Sequence, residues 1–218
     1  MEVGKMATLS ALNCGQSAVK AAAILTDLPL RYFSKEFQMP TPPFNLMKWI
    51  EDHRDEFKVP VMNRQFYKEA DDVIVFVSMG PNTRNDYHVN VTEELFYQLK
   101  GDIAVRIRPL DGSDPHDVII REGEMWLLPR DIPHRPQRPA DTIGLIVEFP
   151  RPEGAVDKLR WYCNDDQHLV HEAEFRLKHI DEDLHKVMDE FWNGPEEIRT
   201  CSVCNTVVQR ASEFKIRQ

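Results

Sequence analysis

Three side chains of the kinds that ligate transition metals sit in two polar stretches of the chain. His88 and Glu94 are six positions apart in "DYHVNVTEELFYQLKG" (86–101), and His134 follows in "LLPRDIPHRPQRP" (127–139). Two imidazoles and one carboxylate on one face of an octahedral ion leave positions open for other ligands, the donor set of the non-haem Fe(II) oxygenases. Taken singly, His88 and Glu94 are ordinary polar residues at a strand edge and His134 a loop histidine, so the wider pattern must carry the assignment. Glu93 competes with Glu94, because a bend in "VNVTE" (89–93) erases the two-residue parity of a strand.

A metal trio needs a rigid mount, and the neighbouring segments read as one. "VIVFVSM" (73–79), "ELFYQL" (94–99), "IAVRIRPL" (103–110), "HDVIIR" (116–121), "MWLLP" (125–129) and "IGLIVEF" (143–149) have strand length and strand composition. The turn signals "KGD", "DGSD" and "EG" separate them. No helix-length segment lies between them, which predicts an all-β antiparallel sandwich or small barrel rather than a parallel sheet. Two helices flank the strands. One starts after Asn45 with Leu46, Trp49, Ile50, His53 and Phe57 at helical spacing; the other carries Ile180, Leu184, Val187 and Phe191 and ends at Gly194 and Pro195.

Composition bounds what such a mount can serve. The chain has 218 residues, 42% hydrophobic and 29% charged, enough for one main domain with an appendage. A formal charge of -9 supplies no basic stripe for phosphate, which excludes nucleic acid and anionic membrane surfaces as partners and leaves a small molecule. The apolar runs are strand-length, so no membrane span is expected. Residues 1–43, ending in the prolines of "QMPTPPF", read as an N-terminal extension. Lys20 interrupts its apolar stretch, and few arginines accompany Glu2, Asp27 and Glu36, which argues against a secretory or mitochondrial leader and for a cytoplasmic protein.

The spacing of these residues resembles the two motifs of the cupin superfamily. Gly80, His88, Glu94 and Gly101 fit the first, with Asp86 in place of its first histidine and one extra residue between His88 and Glu94. Gly123, Pro129 and His134 fit the second, with Asp131 in place of a glycine and Arg138 in place of an asparagine. A three-ligand site is thereby favoured over the general four-ligand one. With "MGPNTRNDYH", "EELFYQLKG" and "WYC", those departures resemble the 3-hydroxyanthranilate 3,4-dioxygenase family over residues 44–209.

The resemblance implies a cupin-type antiparallel β-barrel (jelly roll) with short peripheral helices over 44–158, followed by a C-terminal segment, 159–218. It implies Fe(II) on His88, Glu94 and His134, with Arg84, Glu94, Arg138 and Glu148 meeting the substrate. Arg84, Asp86 and Glu148 would be the catalytic groups, Asp86 beside the oxygen site. The substrate, 3-hydroxyanthranilate, carries carboxylate, amine and hydroxyl on adjacent ring carbons. A planar guanidinium pairs with a carboxylate through two hydrogen bonds, so Arg138 is the expected clamp, assisted by Arg84. O2 would cleave the ring between the hydroxyl-bearing carbon and its unsubstituted neighbour, giving a semialdehyde that cyclises to quinolinate, a precursor of NAD.

Cys201 and Cys204 form a Cys-x-x-Cys pair and Cys163 stands apart in "WYCNDDQHLVH". Microbial members of the family carry two such pairs around a rubredoxin-like metal, and Asp166 occupies the position of the missing cysteine. A second, structural Fe or Zn on Cys163, Cys201 and Cys204 would take Asp166, His168 or His171 as its fourth ligand. Family members with an intact cysteine tail tend to pair, so a homodimer is among the expectations. A metal-dependent sugar-phosphate isomerase and a ligand-sensing or storage cupin compete as readings. Arg84, Arg138 and Glu148 discriminate against both, since neither needs a carboxylate clamp beside an oxygen site.

Overall fold

The computed structural model describes residues 41–163 and 166–216, so nearly all of the N-terminal extension lies outside the described residues. Helix α1 (Leu46–Asp52) and a 3-10 turn (Arg54–Glu56) precede eleven strands, and helix α2 (Ile180–Asn193) follows them. The strands are β1 (Asn63–Phe66), β2 (Ile74–Met79), β3 (Tyr87–Val89), β4 (Glu94–Lys100), β5 (Ile103–Ile107) and β6 (His116–Ile120). They continue with β7 (Met125–Leu128), β8 (His134–Gln137), β9 (Ile143–Glu148), β10 (Asp157–Tyr162) and β11 (Leu169–Phe175).

Every pairing is antiparallel. One sheet runs β1-β2-β9-β4-β7 and the other β11-β10-β3-β8-β5-β6. Phe76, Phe96, Leu128 and Ile146 of the first interleave with Ile103, Val105, Ile120, Leu159 and Trp161 of the second in one core. Each such side chain contributes roughly 1.5–3 kcal/mol by leaving water. The fold is therefore a jelly-roll sandwich. The barrel expected from sequence is not closed, because among the described strands no hydrogen-bonded pairing joins the two sheets. Strand β10 runs through the boundary drawn at 158/159, and with β11 it completes the six-stranded sheet.

The helices cover the sandwich at different places. Ile50 of α1 packs on the outer face of the five-stranded sheet, against Val77, Met79 and Ile143. Helix α2 buries Ile180, Leu184, Val187, Met188 and Phe191, with Phe191 stacked on Trp161 at 3.9 Å. Asp183 reaches back to accept hydrogen bonds from the backbone N–H groups of Lys178 and His179, which suits the positive end of the helix. The helix does end at Gly194, but in extended backbone rather than the left-handed turn a terminal glycine usually makes. Glycine suits the closeness there: a Cβ would lie 2.9 Å from the backbone carbonyl oxygen of Glu190.

Candidate active site

The two sheets contribute opposite halves of the site. On the six-stranded sheet, His88 of β3 and His134 of β8 are direct cross-strand partners. On the five-stranded sheet, Glu94 at the head of β4 pairs with Glu148 at the end of β9. A histidine pair thus faces a glutamate pair across the sandwich, and all four are at least 97% buried. Because His88 and Glu94 lie in different sheets, strand parity never linked them, and the bend at 90–93 turns Glu94 inward. Glu93 stays on the surface beside Arg130.

His88, Glu94 and His134 each offer a ligand atom, and these atoms lie within 4.8 Å of one another. The outer contacts of the rings select their inner nitrogens. His134 Nδ1 donates to the carbonyl of Ile132 at 3.1 Å, which leaves Nε2 turned to Glu94 at 3.0 Å. His88 donates from Nε2 to Asp157 Oδ2 at 2.7 Å, which leaves Nδ1. Burial pushes the Glu94 carboxyl up, yet the adjacent His134 outweighs it and holds Glu94 below its ordinary value. Burial likewise lowers His134, and Glu94 more than reverses that. His134 Nε2 and the Glu94 carboxylate thus meet where a divalent cation would fit, and two neutral imidazoles with one carboxylate are donors suited to Fe(II).

The arginines expected at the substrate are both buried, in opposite states. Arg84 lies against Asp86 through two hydrogen bonds, 3.2 and 2.6 Å. Arg138 is 1% exposed; among the described residues its guanidinium donates only to Gln98 Oε1, at 3.1 Å, and its Nε has no partner. No carboxylate among the described residues pairs with it. Desolvation brings its guanidinium down to about 10. Gly144 makes room for it, since a Cβ there would lie 2.6 Å from an Arg138 terminal nitrogen. Asn82 fixes the strand end by accepting from the Arg138 backbone N–H at 2.9 Å.

Arg84, Arg138, Glu148 and the three metal-binding side chains line one cavity together with Ile180 and Leu184 of α2. Its free volume of about 20 Å³ suits a single water. Burial, helped by the nearby Glu94, raises the Glu148 carboxyl. The loop carrying His134 keeps the backbone of the motif it departs from: Asp131, standing where cupins have glycine, adopts φ 65°.

A sequence model of the 3-hydroxyanthranilic acid dioxygenase family matches residues 39–192. The chain belongs to that family. The family's 3-hydroxyanthranilate 3,4-dioxygenase from Brucella anthropi is 47% identical over 165 residues, covering 75% of this chain and 90% of its own. The enzyme of the same name from Neurospora crassa is 41% identical over 169 residues, covering 78% and 91%. Among solved structures, a cupin-2 domain containing protein from Shewanella frigidimarina aligns with 56% of this chain and 99% of its own, at 16% identity and a TM-score of 0.37.

A second donor cluster lies away from this dioxygenase-family cavity. Cys163, His168, Cys201 and Cys204 bring their ligand atoms within 4.8 Å. His168 is thus the residue gathered with the three thiols. Asp166 turns away: it accepts from Arg106 Nε at 2.7 Å and from the Tyr87 hydroxyl at 3.1 Å. His171 sits among the rings of Trp161 and Phe191. The hydroxyl of Thr206 draws the exposed Cys204 thiol down to about 6, into the thiolate range.

Sequence reasoning missed Asp157 and Arg151. Asp157 is fully buried at the head of β10, and Arg151 joins it to Glu148. The available signal was an acid opening the otherwise apolar-alternating "DKLRWY", three positions after Gly154.

Proposed function

We propose that the chain is a 3-hydroxyanthranilate 3,4-dioxygenase, opening the aromatic ring with O2 to give 2-amino-3-carboxymuconate semialdehyde. The observation that carries this reading is Arg138: a fully buried guanidinium without a carboxylate partner, facing the same cavity as two histidines and a glutamate. A buried unpaired cation is costly, and a carboxylated aromatic that also chelates the metal relieves it. Neither an isomerase nor a sensor requires that combination.

His88 Nδ1, Glu94 and His134 Nε2 would hold Fe(II), which supplies the electronic coupling between the aromatic ring and O2. The protein's own part is placement. Arg138 takes the carboxylate through its fork, which sets the hydroxyl and amine toward the metal-binding trio. Glu148, its carboxyl raised by burial, takes the hydroxyl proton as the substrate binds. Arg84, kept in place by Asp86, presents positive charge where reduced oxygen develops.

The second cluster, in this reading, holds a structural Zn or Fe through three thiolates and His168, a set both ions accept. No helix among the described residues is long and apolar enough to cross a membrane. We place the enzyme in the cytoplasm, where reduced thiols persist.

The test is anaerobic loading of the purified chain with Fe(II), then addition of 3-hydroxyanthranilate and oxygen. The ring-opened chromophore and one O2 consumed per substrate are expected. Silence from a chain shown to hold iron would overturn the substrate assignment.

A further inference from the structure

We propose that Arg151 is a positioning residue that ties the metal-binding trio to Glu148. This inference rests on the dioxygenase reading and deepens it. A guanidinium has five N–H donors, and all of those of Arg151 are used. Nε donates to Asp157 Oδ1 at 2.7 Å, and one terminal nitrogen donates to Asp157 Oδ2 and Glu148 Oε2, each at 2.6 Å. The other donates to Thr92 Oγ1 at 3.1 Å and the carbonyl of Phe149 at 2.8 Å. The side chain is 4% exposed.

Each contact reaches a different part of the site. Asp157 accepts from His88 Nε2, so a clamped Asp157 fixes both the orientation and the tautomer of that ring and presents Nδ1 to the metal. Glu148 is the proton acceptor. Thr92 lies in the short bend between His88 and Glu94, so the third contact steadies the segment joining two ligands. Removing Arg151 leaves Asp157 and Glu148 as buried carboxylates without their cation and frees His88 to rotate. Lysine, with three donors from one point, does not reproduce the planar fork.

Arg138 and Arg151 are therefore the two halves of one arrangement. A saturated guanidinium holds the protein's own carboxylates, and an unsaturated one waits for a carboxylate from outside.

The experiment compares the full-length wild type with Arg151→Gln, Arg151→Lys, Asp157→Asn and His134→Ala. Co(II) affinity is titrated anaerobically through the visible bands of a nitrogen- and oxygen-ligated ion, which thiolate-bound cobalt does not share. The melting temperature of each metal-free chain reports folding. We expect Arg151→Gln and Asp157→Asn to weaken Co(II) binding about 10–100-fold at temperatures where both chains are folded, with Arg151→Lys in between. At saturating Fe(II), Asp157→Asn should recover kcat to within about 3-fold, while Arg151→Gln should stay at least about 10-fold down, because it alone also strips Glu148 of its cation. Lowered melting temperatures with unchanged Co(II) affinity and kcat would reduce Arg151 to a structural residue and overturn the proposal. Wild-type chain that binds no Co(II) outside its thiolates, matching His134→Ala, would overturn the metal reading itself and this inference with it.

Discussion

The interior trio and the cysteine cluster draw on the same chemistry and are built differently. His88, Glu94 and His134 stand on paired strands of the two sheets, their geometry set by ladder register before any ion arrives. Cys163, His168, Cys201 and Cys204 stand outside the strands and helices. Short backbone contacts close their segments, such as Cys163 N–H to the carbonyl of His168 and Cys201 N–H to that of Thr206. In the first region the protein organises the metal; in the second a metal would organise the protein. Substitutions in the interior should therefore act on turnover, and substitutions in the loops on stability.

The sharpest separation comes from His134→Ala. It removes a fully buried ligand, and the expectation is loss of the interior ion and a drop in kcat/KM of at least about 1,000-fold, with the second metal retained. Metal analysis alongside turnover checks both halves; loss of both ions together would collapse the distinction. Arg138→Ala comes next. Losing a buried bidentate carboxylate contact of about 3 kcal/mol should raise KM roughly 100-fold at normal iron content. An unchanged KM would remove the clamp. Arg138 also gives a pH signature. Its charged form is disfavoured by burial and persists only below about 10, so KM should climb as pH rises through that value, and Arg138→Lys should move the climb.

How far the sequence revealed these regions follows from where their signals lie. The strands it exposed, such as 94–99 and 143–149, are those whose alternation is long and bounded by glycine turns, and β4 and β9 match them to within a residue. It did not expose β10 or β11, whose stretches "DKLRWY" and "LVHEAEF" are laced with charged residues, nor β3, β8 or β1. The last three are three or four residues long, and β8 is "HRPQ", in which only His134 and Pro136 face the cavity. The metal trio was legible through ligand type and motif spacing. Strand parity could not choose between Glu93 and Glu94, since that depends on a change of sheet; the spacing to Gly101 chose Glu94. Asp157 and Arg151 left no spacing signal because their partners arrive from three separate segments. His168 emerged over Asp166 only once the arginines facing Asp166 were seen.

For the loop region, His168→Ala should remove the second metal and lower the melting temperature by several degrees, while kcat/KM stays within about 3-fold. One metal per wild-type chain would mean the cluster holds none. Turnover falling with it would show the loops steering the cavity.

The smallest expected effect tests how the two regions touch. Tyr87 precedes the ligand His88 but points to the opposite face of β3, fully buried, its hydroxyl donating to Asp166 of the cysteine loop. Arg106 holds the same carboxylate, and the guanidinium of Arg135 lies 4.7 Å over the Tyr87 ring. Asp166 is thus an anchor pinning its segment to the back of the metal-bearing sheet. Tyr87→Phe deletes one hydrogen bond of about 1 kcal/mol and should lower the melting temperature by roughly 2–4 °C with turnover unchanged. Burial pushes the Tyr87 hydroxyl up to about 12. A neutral form favoured by folding contributes stability fully below the ordinary value near 10 and loses it as pH rises through 12. The wild type should therefore lose stability over that window more steeply than Tyr87→Phe. Equal slopes would mean the hydroxyl is not held as the structure has it, and an altered kcat would mean the anchor reaches through β3 to His88.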